Sequence, residues 1–262
     1  MQDMNDKFKA IFKVIEKFCF DREDPVKAIH NMRFFQEGYD AFGIDDDDLK
    51  PLRDRILEDF QISVLEIADL GKLLFKTGKY EFGTLAIMLI KKHRPRMDAY
   101  VYDAVKQWLD EGVENWAHAD LLAIKIIPVF FELDLCNLES FESWRDSSGK
   151  WTRRAVVMSL NSIKQAIDAK ALLEFITPMI QDNEKVVQQA IGIFLSDLWN
   201  KNNASVEDFL AEHKDQMDIA TLKTATSPMP IAKARLFRKT LPRHQSHHKR
   251  NNPRHNKKAG AK

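Results

Sequence analysis

Cysteine is almost missing from this sequence. The two present in 262 residues, Cys19 and Cys136, cannot build a disulfide framework or a thiolate zinc cage. Glycine and proline are also scarce, at nine each in 262 residues, against average usage of roughly 7% and 5%. A β-rich chain needs more turn residues than that, so the composition points to an all-α protein. No apolar run reaches the roughly 18 residues that a membrane helix requires. Met1-Gln2-Asp3-Met4-Asn5-Asp6 lacks the basic-then-apolar layout of a signal peptide. The expectation is a soluble cytoplasmic protein with no membrane partner. Enzyme signatures are missing too: there is no glycine-rich phosphate loop, no GxSxG elbow and no HExxH. No metal and no cofactor are expected.

What is present is divided by charge. The total, 40 basic against 39 acidic residues, is nearly neutral. Asp218, however, is the last acidic residue, and twelve Lys and Arg follow it. The first 218 residues therefore carry 28 basic against 39 acidic side chains, a net of −11, and the last 44 carry +12. From about 224 helical periodicity fails, and Pro228, Pro230, Pro242 and Pro253 punctuate a stretch rich in Lys, Arg, His and Asn. The reading is a helical domain over 1–223 and a basic tail over 224–262, disordered from about 241 on. His244, His247, His248 and His255 lie in that tail, which holds no fixed metal geometry.

Apolar residues recur at helical spacing from residue 4 to about 217. Phe8, Ile11, Phe12, Ile15 and Phe18 make one stripe on a first helix. A second is expected over 25–37, opened by Pro25. Asp45 to Asp48 then suit the N-terminus of a third, where the macrodipole favours carboxylates; the alternating spacing of a calcium loop is absent. Further helices are expected near 61–76, 80–93, 97–110, 116–133, 138–146, 151–166, 169–181, 184–202 and 205–217. Short connections make successive helices antiparallel pairs. The most apolar helices, starting near 116, 151 and 185, are 35 and 34 residues apart, a rhythm that favours a solenoid with a concave face over a bundle.

Two of these helices contain misplaced charges. Asn115 is a plausible N-cap, after which Trp116, Asp120, Ile124 and Ile127 share a face. A carboxylate there is costly to bury without a partner. On the next strongly apolar helix, Arg154 lies one turn from both Trp151 and Met158. One repeat separates Asp120 from Arg154, so the two helices can lie side by side. Either the two charges merely neutralise one another as a structural pair, or they line a functional cleft.

The segment Asn115-Trp116-x-x-x-Asp120, then Trp144-x-x-Ser147…Trp151-x-x-Arg154-Ala155, then Gln189-Ala190-Ile191-Gly192 resembles the AlkD-type DNA alkylation repair glycosylases. The likeness extends weakly to Phe34 and Phe42-Gly43-Ile44 and covers most of 25–202. The resemblance implies a right-handed solenoid of antiparallel helix pairs, the HEAT-like repeats. It also implies hydrolysis of the N-glycosidic bond of cationic bases of the 3-methyladenine and 7-methylguanine type, by a monofunctional enzyme that leaves the base unflipped. Asp120 would be the catalytic carboxylate, Trp116 a wall against the deoxyribose, and Arg154 a backbone contact, with Trp151, Phe34 and Ile193 also expected to contact substrate or DNA. An alkylated purine already carries charge and leaves without a general acid, while a fixed anion stabilises the oxocarbenium ion left on the sugar. The family places a second Trp after Ala-Ile-Gly. Here that position is Ile193, which offers a cation no π-face.

The expected partner is double-stranded DNA carrying alkylated bases, bound by a monomer associated with the nucleoid. Lys91, Lys92 and Arg94 form the densest basic run in the body and either meet phosphates or simply favour a helix C-terminus. Arg153 would extend that track. The basic tail would add sequence-independent affinity. Two alternatives stand beside the glycosylase: a relative that binds DNA structures without excision, supported by Ile193, and a helical-repeat scaffold for another protein.

Overall fold

The computed structural model describes residues 5–35 and 37–239. Fifteen α-helices and three short 3₁₀ turns are found among the described residues, with no strand beyond one isolated bridge between Asp40 and Lys79. The helices are α1 (Asp6–Phe20), α2 (Pro25–Met32), α3 (Asp46–Phe60), α4 (Val64–Phe75), α5 (Tyr80–Lys91), α6 (Ala99–Glu111), α7 (Trp116–Lys125), α8 (Ile127–Glu132), α9 (Leu138–Arg145), α10 (Lys150–Ile163), α11 (Ala169–Ile176), α12 (Lys185–Trp199), α13 (Asn203–His213), α14 (Ile219–Ala225) and α15 (Ile231–Ala234). Most starts are written in the sequence: the side chains of Asn5, Asp24, Ser63, Asp98, Asn115, Asn137, Asp168 and Asp218 each accept from a first-turn amide. Each such cap stabilises its helix by about 1 kcal/mol.

The molecule is a helical-repeat solenoid. One row consists of α3, α5, α7, α10, α12 and α14, each packed on the next. These helices start at residues 46, 80, 116, 150, 185 and 219, intervals of 34, 36, 34, 35 and 34. In the other layer α4 packs on α6 and α11 on α13. Because α5 and α10 are flanked in the row and backed by the other layer, apolar residues are buried nearly all round them. Trp108, Trp144, Phe130, Phe141 and Phe194 are fully buried, and cutting any one to Ala would cost about 3–5 kcal/mol.

Four expectations need correction. The continuous helix over 116–133 divides at Ile126, because Pro128 has no N–H for the carbonyl of Ile124. Pro128 instead opens α8, where a missing donor costs little. Pro178 likewise ends α11 at Ile176 and leaves a 3₁₀ turn, Thr177–Met179. The helix expected over 25–37 stops at Met32, and Phe34 and Phe35 follow in a turn, donating to the carbonyls of Asn31 and Met32. Ordered packing also continues past residue 223: α14 crosses it, Met229 and Phe237 are buried, and Lys233 pairs with Glu207 at 2.8 Å. The periodicity fails there because the elements are too short to repeat. Residues 241–262, expected to be disordered, lie outside the described residues.

Candidate active site

Asn115 fixes the start of α7, its carboxamide oxygen accepting from His118 N at 2.9 Å. The row neighbours and α8 cover the rest of the helix and leave one stripe toward solvent: Trp116 (40% exposed), Asp120 and Ile124. Trp116 is held from two directions. Its indole N–H donates to the carbonyl of Phe34 at 3.0 Å, and its ring stacks on Phe35 at 5.7 Å. His118, on the opposite side, is buried between Thr84 and Asn115 and against the Tyr80 ring. Burial pushes its pKa down to about 4, so it packs as a neutral imidazole.

Asp120 and Arg154 meet. The guanidinium donates Nε to Oδ1 at 2.8 Å and Nη2 to Oδ2 at 2.7 Å, while Nη1 donates to the carbonyl of Val186 at 2.7 Å. Arg154 thus ties α7, α10 and α12 together across the row. Its side chain is 5% exposed against 15% for that of Asp120, so the carboxylate is the member that solvent reaches. Burial pushes the Asp120 carboxyl above the usual carboxylate range, against the opposing pull of Arg154. A carboxylate oxygen has two lone pairs, and one described donor reaches each oxygen of Asp120.

On α12 the exposed stripe is Lys185, Gln189 and Ile193, at i, i+4 and i+8. Gly192 lets α14 approach: a Cβ there would come within 2.9 Å of Thr224 Cβ and 3.0 Å of the Thr221 carbonyl oxygen. Between the stripes of α7 and α12, the matching positions of α10, Arg154 and Met158, are buried. The row is therefore sunk at α10, with Asp120 on one flank of the depression and Ile193 on the other.

A sequence profile described as DNA alkylation repair enzyme matches residues 20–229. The chain belongs to the DNA alkylation repair enzyme family. A solved structure of a predicted DNA alkylation repair enzyme from Enterococcus faecalis is similar in fold. Its TM-score is 0.67 at 17% sequence identity, over 80% of this chain and 98% of that one. No curated protein matches the chain.

Within this member of the DNA alkylation repair family, the other expected site residues separate into open and closed. Phe34 is exposed beside Trp116, under the Arg33 guanidinium at 4.7 Å. Trp151 is 5% exposed and packs in the core, which leaves it no surface for DNA. Arg153 is committed elsewhere, donating to both oxygens of Asp182 (2.6 and 3.1 Å) and to the carbonyls of Ser147 and Ser148. Arg154 is committed to Asp120 and Val186, so every nitrogen of both guanidinium groups already donates within the protein, which leaves Arg154 two N–H groups and Arg153 one. Lys91 is exposed at the end of α5, Lys92 stands 3.9 Å from Asp54, and Arg94 lies 3.3 Å from Glu132.

Other cations were not singled out by sequence reasoning. Lys125, Lys185, Lys201 and Lys223 are exposed and have no carboxylate within ion-pair distance among the described residues. Lys125 and Lys201 sit at or just past the C-terminal ends of α7 and α12. Lys185 and Lys223 occupy the exposed side of α12 and α14. Position relative to each repeat, rather than local density of charge, was the signal that could have found them. Among the described residues no three His, Cys, Asp or Glu side chains gather as a metal site, and none of their helices is long and apolar enough to cross a membrane. Cys19 and Cys136 are unpaired thiols, pushed up to about 12 by burial.

Proposed function

We propose that this protein is a monofunctional DNA glycosylase that removes cationic alkylated purines of the 3-methyladenine and 7-methylguanine type, with Asp120 as its catalytic carboxylate. The carrying observation is that Asp120 is anchored by Arg154 yet remains the solvent-reached member of the pair, one turn from the exposed Trp116. Membership of the DNA alkylation repair family supplies the substrate context.

The chemistry asks little of the protein beyond placement. As the C1′–N bond breaks, its electron pair passes to the cationic base, which departs neutral. Positive charge moves to C1′ and the ring oxygen of the sugar. A carboxylate fixed beside that atom stabilises the charge, and a partly dry surface makes the attraction stronger than in water. Water then adds to C1′ and loses its proton to the carboxylate or to solvent, leaving an abasic site. Arg154, which the resemblance would make a backbone contact, is here assigned to holding Asp120 in one orientation. Ile193 would close the far flank by excluding water. The exposed lysines at the repeat ends would track the phosphates.

The test is release of free methylated base from randomly methylated duplex DNA in single-turnover reactions with saturating protein. Asp120→Asn should slow release by about a hundredfold, near 2.7 kcal/mol of barrier, while circular dichroism confirms that the variant is folded. Release that is unaffected by the substitution removes Asp120 from the mechanism. A second reading, a relative that binds DNA without excision, is favoured by Ile193 where the family has Trp. Tight duplex binding with no release by the intact protein would establish it.

A further inference from the structure

The N-terminal end of the solenoid carries a groove of about 510 Å³ between α1 and α3. Val14, Phe18 and the buried Leu52 make its floor, and Pro51 stands beside them. The exposed side chains of Lys13, Lys17, Arg22 and Arg55 surround that floor, with Asp21 between them. Four cations against one carboxylate, among the described residues, stand out in a body whose first 218 residues carry −11.

Helical spacing produces this lining. On α1 and just past it, Lys13, Lys17 and Asp21 lie at i, i+4 and i+8, and Val14, Phe18 and Arg22 run one position on. One side of the helix thus sets a charged row beside an apolar one. On α3, Pro51 and Arg55 are one turn apart above Leu52. The Arg22 guanidinium lies 4.0 Å from the centroid of the Phe18 ring, which holds its charge beside the floor.

Neither ion pairing nor the helix dipole accounts for this rim. Lys17 pairs with Asp21 at 3.2 Å and Arg55 with Asp59 at 3.1 Å, but these side chains are all about half exposed or more, and such pairs open readily. Lys13 and Arg22 have no carboxylate within ion-pair distance among the described residues. Cations at the end of α1 favour its C-terminus, which covers Lys17 and Arg22. Lys13 and Arg55 lie further inside their helices, beyond the reach of that effect. None of these residues belongs to the candidate active site, and α1 meets the family profile over 20–229 only at Phe20. Family membership therefore assigns the groove no role.

A floor flanked by two helices is the shape that receives a third, and a cationic rim asks for carboxylates on it. A duplex backbone would meet the charges but leave the apolar floor without a partner. Basic segments, this chain's own 243–262 included, would be repelled. We infer that this groove docks an acidic amphipathic helix of a partner protein. The apolar side of that helix lies on Val14, Phe18 and Pro51, and its carboxylates lie among Lys13, Lys17, Arg22 and Arg55. The inference stands apart from the glycosylase reading.

The probe is a synthetic fluorescein-labelled peptide of about fifteen residues, the length of α1 and α3. It has leucine at every third or fourth position and glutamate between. One control is a scrambled peptide whose leucines share no face; the other has glutamine for every glutamate. The scramble keeps the charge, so attraction by the basic tail would bind it as well as the probe. Titrated with the full-length protein and read by fluorescence anisotropy, the probe should bind at least about tenfold tighter than either control. Lys13→Glu with Arg22→Glu, both at exposed positions, should weaken the probe by about tenfold or more. Lys125→Glu with Lys201→Glu, the same charge change elsewhere, should alter it by less than about twofold. A probe that does not bind, equal binding of probe and scramble, or equal losses in the two double variants overturns the groove. If the groove variant instead weakens an unmodified duplex and leaves the probe untouched, the rim serves DNA and the inference falls.

Discussion

Arg153 and Arg154 are neighbours on one helix, and each clasps an aspartate with two hydrogen bonds, yet the two pairs are different devices. Arg153 points to the segment before α12, where Asp182 is 8% exposed and also accepts the Glu184 amide at 2.8 Å. The remaining nitrogen of that guanidinium, Nη1, donates to the carbonyls of Ser147 and Ser148. Every partner belongs to a loop, so the pair staples the 146–149 turn to the 181–184 turn. Arg154 points back across the row, and its aspartate sits on the exposed stripe of α7 with no other described donor. Geometry of the ion pair does not separate structural from functional. On the proposed function, what separates them is how much of the carboxylate's remaining acceptor capacity the protein has already filled: three described donors reach Asp182 and two reach Asp120.

The sharpest way to break that contrast is to neutralise each carboxylate in turn. Asp120→Asn should cost about a hundredfold in single-turnover release. Asp182→Asn should leave release at saturation within about twofold, and its cost should appear as lost thermal stability. Removing one partner of a buried pair typically destabilises by about 3–5 kcal/mol. Equal losses of release in both variants would mean that the two pairs do the same structural work.

Acidification sharpens the comparison next. The burial that raises the Asp120 pKa means that its proton returns at a higher pH than on an ordinary carboxylate. Release should therefore decline as pH falls through a midpoint above the usual carboxylate range, because only the anion stabilises the sugar cation. The stability linkage runs the other way. A group whose folded pKa is raised contributes stability at low pH and loses it as pH rises through the folded value. Over that window release should fall with pH while this group adds to the stability of the fold rather than subtracting from it, as pH profiles of release and of thermal midpoint would show.

Much of this arrangement was legible in the sequence, and the exceptions have physical causes. The 34-residue rhythm brought Asp120 and Arg154 to neighbouring helices because equal repeats place equal positions side by side. The same rhythm could not say that Arg153, only about 100° further round the helix, turns toward a loop. Trp151 reads as a site residue by its spacing from Arg154, but burial is decided by what packs over it, and nothing local records that. The support of Trp116 was hidden more thoroughly. It comes from the turn after α2, and the bond from Trp116 to Phe34 spans 82 residues. Asp45 to Asp48 read as carboxylates of a helix start, and they are so placed at the start of α3.

Ile193 offers the smallest effect and tests whether the far flank of the depression contributes chemistry or only cover. It is 37% exposed, so a larger ring can be added outward without entering the core. Gly192 beside it is constrained by α14, which fixes the backbone from which the side chain projects. Ile193→Trp supplies a π-face opposite Asp120. A cation over an aromatic face at a partly exposed site gains about 0.5–1 kcal/mol, a factor of about two to five. Single-turnover release should therefore rise by that factor, with the increase confined to cationic lesions. If Asp120 alone holds the sugar cation, the ring will change duplex affinity without changing the saturated rate. A rise that survives in the Asp120→Asn background would mean that the aromatic flank acts on the charge independently of the carboxylate.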